Sequence, residues 1–364
     1  MMTDKEYMAL AISLAQKTIG QTSPNPAVGA VVVKDGRIVG LGTHLKAGEP
    51  HAEVHALHMA GENAKGSTIY VTLEPCSHFG KTPPCANLII EKQVKRCVIA
   101  SVDSNPIVTN NGIARLKEAG IDVEVGLLKE EAEALNPYFN FYQIYKRPFV
   151  TLKTATSLDG KIATYSGDSK WITGKEARED VHKYRHEHDA ILVGVGTVLA
   201  DDPSLTCRVP NGGINPIRII LDTSLRTPKT AKVVTDNEAP TWIIVGSGVL
   251  DEKKQEFEKL GVKVIIIKEP TISISELLKT LGENGIQSLF VEGGAKVNGS
   301  FLEAKAFQQV ITYIAPKLIG GSNAPTSFAG TGFENIKGVP LLKVKSVEKI
   351  GDDIKIVSLP KERV

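Results

Sequence analysis

Aromatic residues make up only 5% of this 364-residue chain, and it holds two tryptophans, four methionines and four cysteines. So few cysteines cannot staple a disulfide scaffold of this length, and they point to a reducing cytoplasm. A dominant charge sign is missing as well, because 43 Lys and Arg against 41 Asp and Glu leave a net charge of +2. No lysine or arginine run forms a basic tail, so nothing argues for nucleic acid as a partner. Long apolar runs are also absent. Val264-Ile265-Ile266-Ile267 is strand-sized and far too short to span a membrane. The opening MMTDKEYMALAISLAQ carries acids and no positive start, so it does not read as a signal peptide. With 42% hydrophobic and 23% charged residues, the composition is that of a folded soluble protein long enough for two domains.

What the chain does have is one dense stretch, His51 to Cys85. It holds His51-x-Glu53, then Pro75-Cys76, then Cys85 after an eight-residue insert. This is the zinc-deaminase pattern with a lengthened gap between the cysteines. One imidazole and two thiolates hold Zn2+ and leave the fourth tetrahedral position for water. A glutamate that does not ligate, Glu53, then moves protons between that water and a ring. The competing reading is a closed structural site, with His55 as a fourth ligand four residues after His51. A His-Glu-x-x-His metalloprotease is excluded, because the acid stands two residues after His51 rather than one. Positions two apart on a regular helix diverge, so His51 and Glu53 can meet only at the end of the first turn.

Periodicity lays out the rest. Residues 4–18 read as an amphipathic helix, and 27–33 and 37–42 as strands of a hairpin turning at Lys34-Asp35-Gly36. Helices follow at 51–60, 84–91, 112–119 and 129–144, with strands at 68–73, 97–101 and 121–125. Tyr145-Lys146-Arg147-Pro148 marks a boundary, giving domains 1–146 and 147–364. The second has strands at 149–156, 190–193, 217–222, 241–245, 262–267, 288–291 and 310–315. Its helices fall near 175–188, 251–259, 274–284 and 299–304. Alternating strands and helices imply layered α/β architecture in both halves. Cys97 and Cys207 read as free thiols packed like small hydrophobes. Gly194-x-Gly196-Thr197 and Glu292-Gly293-Gly294 each follow a strand, where glycine lets backbone N–H groups approach phosphate. Neither is a Rossmann fingerprint, and ordinary tight turns are the alternative.

Taken together, these residues resemble a known family. Asn25-Pro26-x-Val28-Gly29, His51-Ala52-Glu53 and Glu74-Pro75-Cys76-Ser77-His78-x-Gly80-Lys81-Thr82-Pro83-Pro84-Cys85 are similar to the deaminase half of bifunctional riboflavin biosynthesis proteins of the RibD/RibG family. Lys153-x-Ala155-x-Ser157-Leu158-Asp159-Gly160-Lys161, Ser169-Lys170-Trp171-Ile172, Gly194-x-Gly196-Thr197, Asp201-x-Pro203-x-Leu205-Thr206 and Glu292-Gly293-Gly294 resemble its reductase half. The resemblance runs over nearly the whole chain in order.

It implies a cytidine-deaminase-like three-layer αβα domain followed by a dihydrofolate-reductase-like α/β domain. It implies zinc-dependent loss of ammonia from 2,5-diamino-6-(5-phosphoribosylamino)pyrimidin-4(3H)-one, then NADPH-dependent reduction of the ribosyl group to ribityl. One Zn2+ would sit on His51, Cys76 and Cys85, with Glu53 moving protons. Asn25, His44, His78 and Lys81 would line that pocket. In the second half, Ala155, Trp171, Thr197, Asp201, Gly293 and Gly294 would hold NADPH. Ser169, Arg185, Leu205, Arg208 and Glu292 would hold substrate, with both arginines suited to its 5-phosphate. Lys153 or Asp201 would transfer a proton to the ring-opened sugar. The expected partners are a small phosphorylated pyrimidine and further copies of the chain, as a dimer or tetramer, with no membrane. A nucleoside or tRNA deaminase with a non-catalytic second domain is the alternative. The long cysteine gap and the 147–364 domain argue against it.

Overall fold

The computed structural model describes residues 2–77, 83–106, 109–210 and 212–361. It divides into two compact units, Met1–Lys146 and Arg147–Val364.

The first unit runs α1 (Asp4–Gln16), β1 (Gly29–Lys34), β2 (Arg37–Thr43), α2 (Ala52–Ala60), β3 (Thr68–Leu73), α3 (Cys85–Glu91), β4 (Arg96–Ser101), α4 (Asn111–Glu118), β5 (Asp122–Val125), α5 (Lys129–Glu133) and α6 (Pro137–Tyr145). Thr3 and Glu6 form a capping box that starts α1. Asp35 and Gly36 both have positive φ, which suits the right-handed twist of a two-residue hairpin and closes β1 onto β2. The sheet order is β2-β1-β3-β4-β5, antiparallel at β2-β1-β3 and parallel beyond.

Both faces of this sheet are covered, so the strands read as near-continuous apolar runs. Ala30, Val32, Ile69, Val71, Cys97 and Ile99 face α2, α3 and α4. Val31, Val33, Tyr70, Val98 and Ala100 face α1 and α5. Burying a Leu or Ile side chain here contributes about 1.5–3 kcal/mol. Two glycines on β2 let α2 sit unusually close. A Cβ at Gly40 would lie 2.0 Å from the Ala56 carbonyl oxygen, and one at Gly42 2.0 Å from that of Ala52. The helix expected over 129–144 is broken in two, because Asn136 leaves helical geometry and Pro137 starts a new helix at its first position.

The second unit runs β6 (Phe149–Ser157), α7 (Lys175–Glu187), β7 (Ala190–Gly194), α8 (Val195–Asp201), β8 (Ile217–Leu221), α9 (Lys232–Thr235), β9 (Thr241–Val245), α10 (Asp251–Glu258), β10 (Lys263–Ile266), α11 (Ile274–Glu283), β11 (Ser288–Gly293), α12 (Ala295–Glu303), β12 (Gln309–Ala315), β13 (Leu342–Ile350) and β14 (Asp353–Pro360). Its nine strands are ordered β10-β9-β8-β7-β11-β6-β12-β14-β13. All are parallel except the last two, which add an antiparallel hairpin at the β12 edge. Helices α7 to α10 cover one face and α11 and α12 the other.

The chain winds outward from β7 to β10, then returns to place β11 between β7 and β6. In open α/β sheets the crevice at such a reversal, outside the carboxyl ends of the strands, is where ligands bind. The β13–β14 hairpin was not expected from the sequence. Most of β13 is exposed, so it lacks an alternating apolar pattern.

Candidate active sites

In the first unit, backbone geometry settles how His51 and Glu53 can share a site. His51 is the N-cap of α2, in extended conformation, and is not on the helix itself. Glu53, in the first turn of α2, is buried at 3% exposure and feels the charges of His51 and Cys76. Pro75-Cys76 follows β3, and Cys85 is the first residue of α3. The His51 Nδ1 lies 3.6 Å from the Cys76 Sγ and 3.3 Å from the Cys85 Sγ. All three donor atoms fall within 4.8 Å of one another. Donors on one tetrahedral zinc are separated by about 3.6 Å, so this nitrogen-and-two-sulfur set fits the ion. His55 is not in the set. Its β-carbon packs over Gly42, facing β2.

Burial, with Cys76 adding to it, raises the Glu53 carboxyl to about 7. It lies within hydrogen-bonding reach of the Cys85 sulfur. The Cys85 thiol, the Cys85 N–H and His51 all stabilise a thiolate on Cys76, holding it down to about 4, while the thiol of Cys85 is pushed up by that same interaction. His51 is held above its ordinary value by the Cys76 sulfur.

His44 is 2% exposed, and both of its ring nitrogens are engaged. Nδ1 faces the Pro50 carbonyl at 3.1 Å, which can only accept, so Nδ1 carries the proton. Nε2 therefore accepts from the Asn25 amide at 3.1 Å. The ring stands edge-on to His51, with centroids 5.2 Å apart. His44 thus touches Asn25 and His51, and burial lowers its pKa from the ordinary imidazole value. His78 and Lys81 lie outside the described residues.

Glu74 was quoted as part of a motif but given no task, and the fold gives it one. It is 3% exposed, and its carboxylate accepts four backbone N–H groups, from Asp103, Asn110, Gly112 and Ile113, at 3.0–3.3 Å. Those donors include the first turn of α4, so the residue two before Cys76 is pinned by a helix N-terminus. A buried acid beside Pro-Cys was the available signal.

In the second unit, Lys153 on β6 and Glu292 on β11 reach the crevice from adjacent strands, with Nζ and Oε2 3.8 Å apart. Arg185 on α7 grips Glu292 with two hydrogen bonds and donates a third to the Thr206 carbonyl at 2.9 Å. Burial would raise the Glu292 carboxyl, but the Arg185 and Lys153 charges outweigh it and hold it at about 2. Burial depresses Lys153, with Glu292 opposing. Arg208 is exposed, and its guanidinium lies 3.4 Å from the Thr206 hydroxyl. Leu205 buries its side chain in the core at 3% exposure, so its backbone is what remains to face a ligand.

The glycine turns converge. A Cβ at Gly294 would lie 3.5 Å from the Thr197 hydroxyl, so the starts of α8 and α12 adjoin. Gly293 and Gly294 both have positive φ. Asp201 closes α8 and pairs with exposed Lys170 at 3.3 Å. Trp171 is 62% exposed and stacks on Arg178 at 4.6 Å, while its carbonyl accepts from Lys317. Ala155 is half-buried on β6 and Ser169 half-buried in the loop after it.

Comparison with known proteins places both units in a family. Residues 1–101 match the cytidine and deoxycytidylate deaminase zinc-binding region, and residues 148–356 match the RibD C-terminal domain. The riboflavin biosynthesis protein RibD of Bacillus amyloliquefaciens is 54% identical over 99% of this chain and 97% of its own. The chain belongs to the RibD family.

Escherichia coli RibD is 43% identical over 97% of this chain and 98% of its own. The RibD structure from Acinetobacter baumannii superposes with a TM-score of 0.91 at 40% identity, covering 99% of both chains. A Thermotoga maritima structure, of a diaminohydroxyphosphoribosylaminopyrimidine deaminase/5-amino-6-(5-phosphoribosylamino)uracil reductase, gives 0.86 at 39% identity over 98% of both chains. As a RibD-family member the chain is a bifunctional riboflavin biosynthesis enzyme, with a zinc-binding deaminase domain and a reductase domain acting on a small molecule. The deaminase-like and reductase-like α/β folds expected from the sequence are those observed. Among the described residues, no helix is long and apolar enough to cross a membrane.

Proposed function

We propose that the chain deaminates 2,5-diamino-6-(5-phosphoribosylamino)pyrimidin-4(3H)-one in residues 1–146. It then reduces the resulting aminouracil's ribosyl group to ribityl, with NADPH, in residues 147–364. The observation that carries this is the pairing, in one chain, of the His51–Cys76–Cys85 donor set beside Glu53 with a half-buried Lys153–Glu292–Arg185 cluster. The Thermotoga relative carries both activities in its name.

His51, Cys76 and Cys85 would hold a zinc ion, which when bound would supply a water acidified enough to attack the ring carbon bearing the amine. Glu53, poised near neutrality by burial, would carry one proton of that water to the ring nitrogen and, as the carbon–amine bond breaks, the second to the departing ammonia, leaving the carbonyl on the ring. Asn25 meets the pyrimidine edge, its amide turned by His44, so His44 acts through its neighbours. The family resemblance assigns His78 and Lys81 to the substrate's polar groups and phosphate.

NADPH, when bound, would supply the hydride that C1′ of the ribosyl group needs. Thr197, Asp201, Trp171, Ala155 and the Gly293–Gly294 turn hold it. Lys153, whose ammonium is destabilised by burial, protonates the ribosyl ring oxygen as the ring opens. Lys153 is preferred to Asp201 for that task because it sits beside Glu292 with little exposure, whereas Asp201 is an exposed side chain paired with Lys170. Glu292 keeps Lys153 in place and, with Ser169 and the Leu205 backbone, lines the substrate. Arg185 aligns Glu292, which leaves Arg208 as the main contact for the 5-phosphate. On family grounds the protein is a cytoplasmic homo-oligomer, a dimer or tetramer.

A two-stage assay on purified protein tests this. Ammonia should appear from the diaminopyrimidine ribosyl phosphate without NADPH, and NADPH should be consumed once it is added. No ammonia from zinc-loaded protein would reduce the His51–Cys85 site to a structural one. Ammonia without NADPH consumption would remove the reductase reading.

A further inference from the structure

Two histidines on one face of α7 hold the segment that carries Arg208. His182 Nδ1 accepts the Arg208 backbone N–H at 3.2 Å, and His186 Nδ1 accepts the Ile214 N–H at 3.0 Å. The four-residue spacing puts both rings on the same helix face. The Cys207 thiol adds a bond to the His182 carbonyl at 3.3 Å, and the Cys207 N–H bonds to the Asn215 side chain at 2.8 Å. Each imidazole accepts at Nδ1, so each is neutral with its proton on Nε2. The sequence reading gave neither histidine a role.

We propose that His182 is a positioning residue of the reductase site: its neutral ring holds the Arg208 backbone and so sets where that guanidinium meets the substrate's 5-phosphate. This rests on the reading of Arg208 as the phosphate contact. The surroundings support it. Burial first, then the Arg185 and Arg208 charges, lower His182 to about 4, with Glu292 and the Thr206 carbonyl opposing, so it stays an acceptor at neutral pH. Arg185 is already committed to Glu292 and Thr206, which makes the placement of Arg208 decisive for the phosphate.

Two amide variants separate positioning from mere packing. The Oδ1 of Asn falls where Nδ1 of His lies, whereas the Oε1 of Gln falls where Nε2 lies. His182→Asn should keep the KM for the phosphorylated aminouracil within about two-fold, and His182→Gln should raise it about ten-fold with kcat and the NADPH KM unchanged. In an Arg208→Ala background the Asn and Gln variants should become alike, because His182 acts through Arg208. If Arg208→Ala leaves that KM unchanged, the phosphate reading fails and takes the proposal with it. If Arg208→Ala raises KM but Asn and Gln behave alike, or the Gln effect persists without Arg208, the His182 proposal alone is overturned.

Discussion

The two units build their sites in opposite ways. The deaminase constellation comes from one stretch, His51 to Cys85, with its residues at two helix starts and one strand end. The reductase constellation is drawn from Lys153 on β6, Arg185 on α7, Arg208 beyond α8 and Glu292 on β11. The difference follows from the chemistry. A metal accepts few donor types and needs them within bonding distance, so residue identity is narrowly constrained. Hydride transfer is performed by a cofactor, so the protein has only to hold, align and exclude, and many residue types suffice.

The sharpest way to break that comparison is to disable one site and watch the other. Glu53→Gln should lower the deaminase kcat about 10³-fold while zinc content stays unchanged, because the lost function is proton transfer. NADPH consumption on supplied aminouracil ribosyl phosphate should stay within about two-fold of the parent, since Glu53 and the reductase cluster belong to different compact units. Stripping zinc with a chelator should give the same split. A parallel fall in reduction would mean that the units are not chemically independent.

The reciprocal change is Lys153→Met, which removes the buried ammonium but keeps the length of the side chain. Reductase kcat should fall about 10²-fold with ammonia release intact. If instead only KM rises, Lys153 binds substrate without handling a proton, and the proton donor lies elsewhere.

Glu74 tests a support of the deaminase site without touching its donors. Glu74→Gln aims an amide NH2 at backbone N–H groups that need an acceptor, and two of the four lose theirs. The first unit should lose about 2–3 kcal/mol in thermal or denaturant unfolding, with NADPH consumption preserved. An unchanged unfolding curve would show that this clamp carries no stability.

How legible each site was from sequence follows the same division. His51, Glu53, Cys76 and Cys85 declared themselves by spacing alone. The meeting of His51 and Glu53 needed the N-cap geometry, which no periodicity reveals. Lys153 and Glu292 stand 139 positions apart and meet only because β11 inserts beside β6. Nothing local in either segment encodes that neighbour. Among the elements, strands buried on both faces were plain as apolar runs. The exposed β13 was invisible because its residues answer to solvent rather than to a core. The break before Pro137 was readable in principle, since proline at a first helical position starts a helix as readily as it ends one.

The smallest expected effect probes a backbone rather than a side chain. Gly294, at φ +85° and ψ 142°, occupies a region essentially closed to residues with a Cβ, at the start of α12. Its close neighbour is the Thr197 hydroxyl at the start of α8. Gly294→Ala should strain the turn by about 1–2 kcal/mol and displace the N–H groups that face this junction. If the junction holds NADPH phosphate, the NADPH KM should rise about five-fold while the KM for the aminouracil substrate and the whole deaminase reaction stay level. Equal rises in both KM values would mean that the turn supports the sheet as a whole. In that case the reductase unit would hold its cofactor through side chains such as Thr197 and Trp171, and its site would be even more dispersed than the comparison with the zinc stretch suggests.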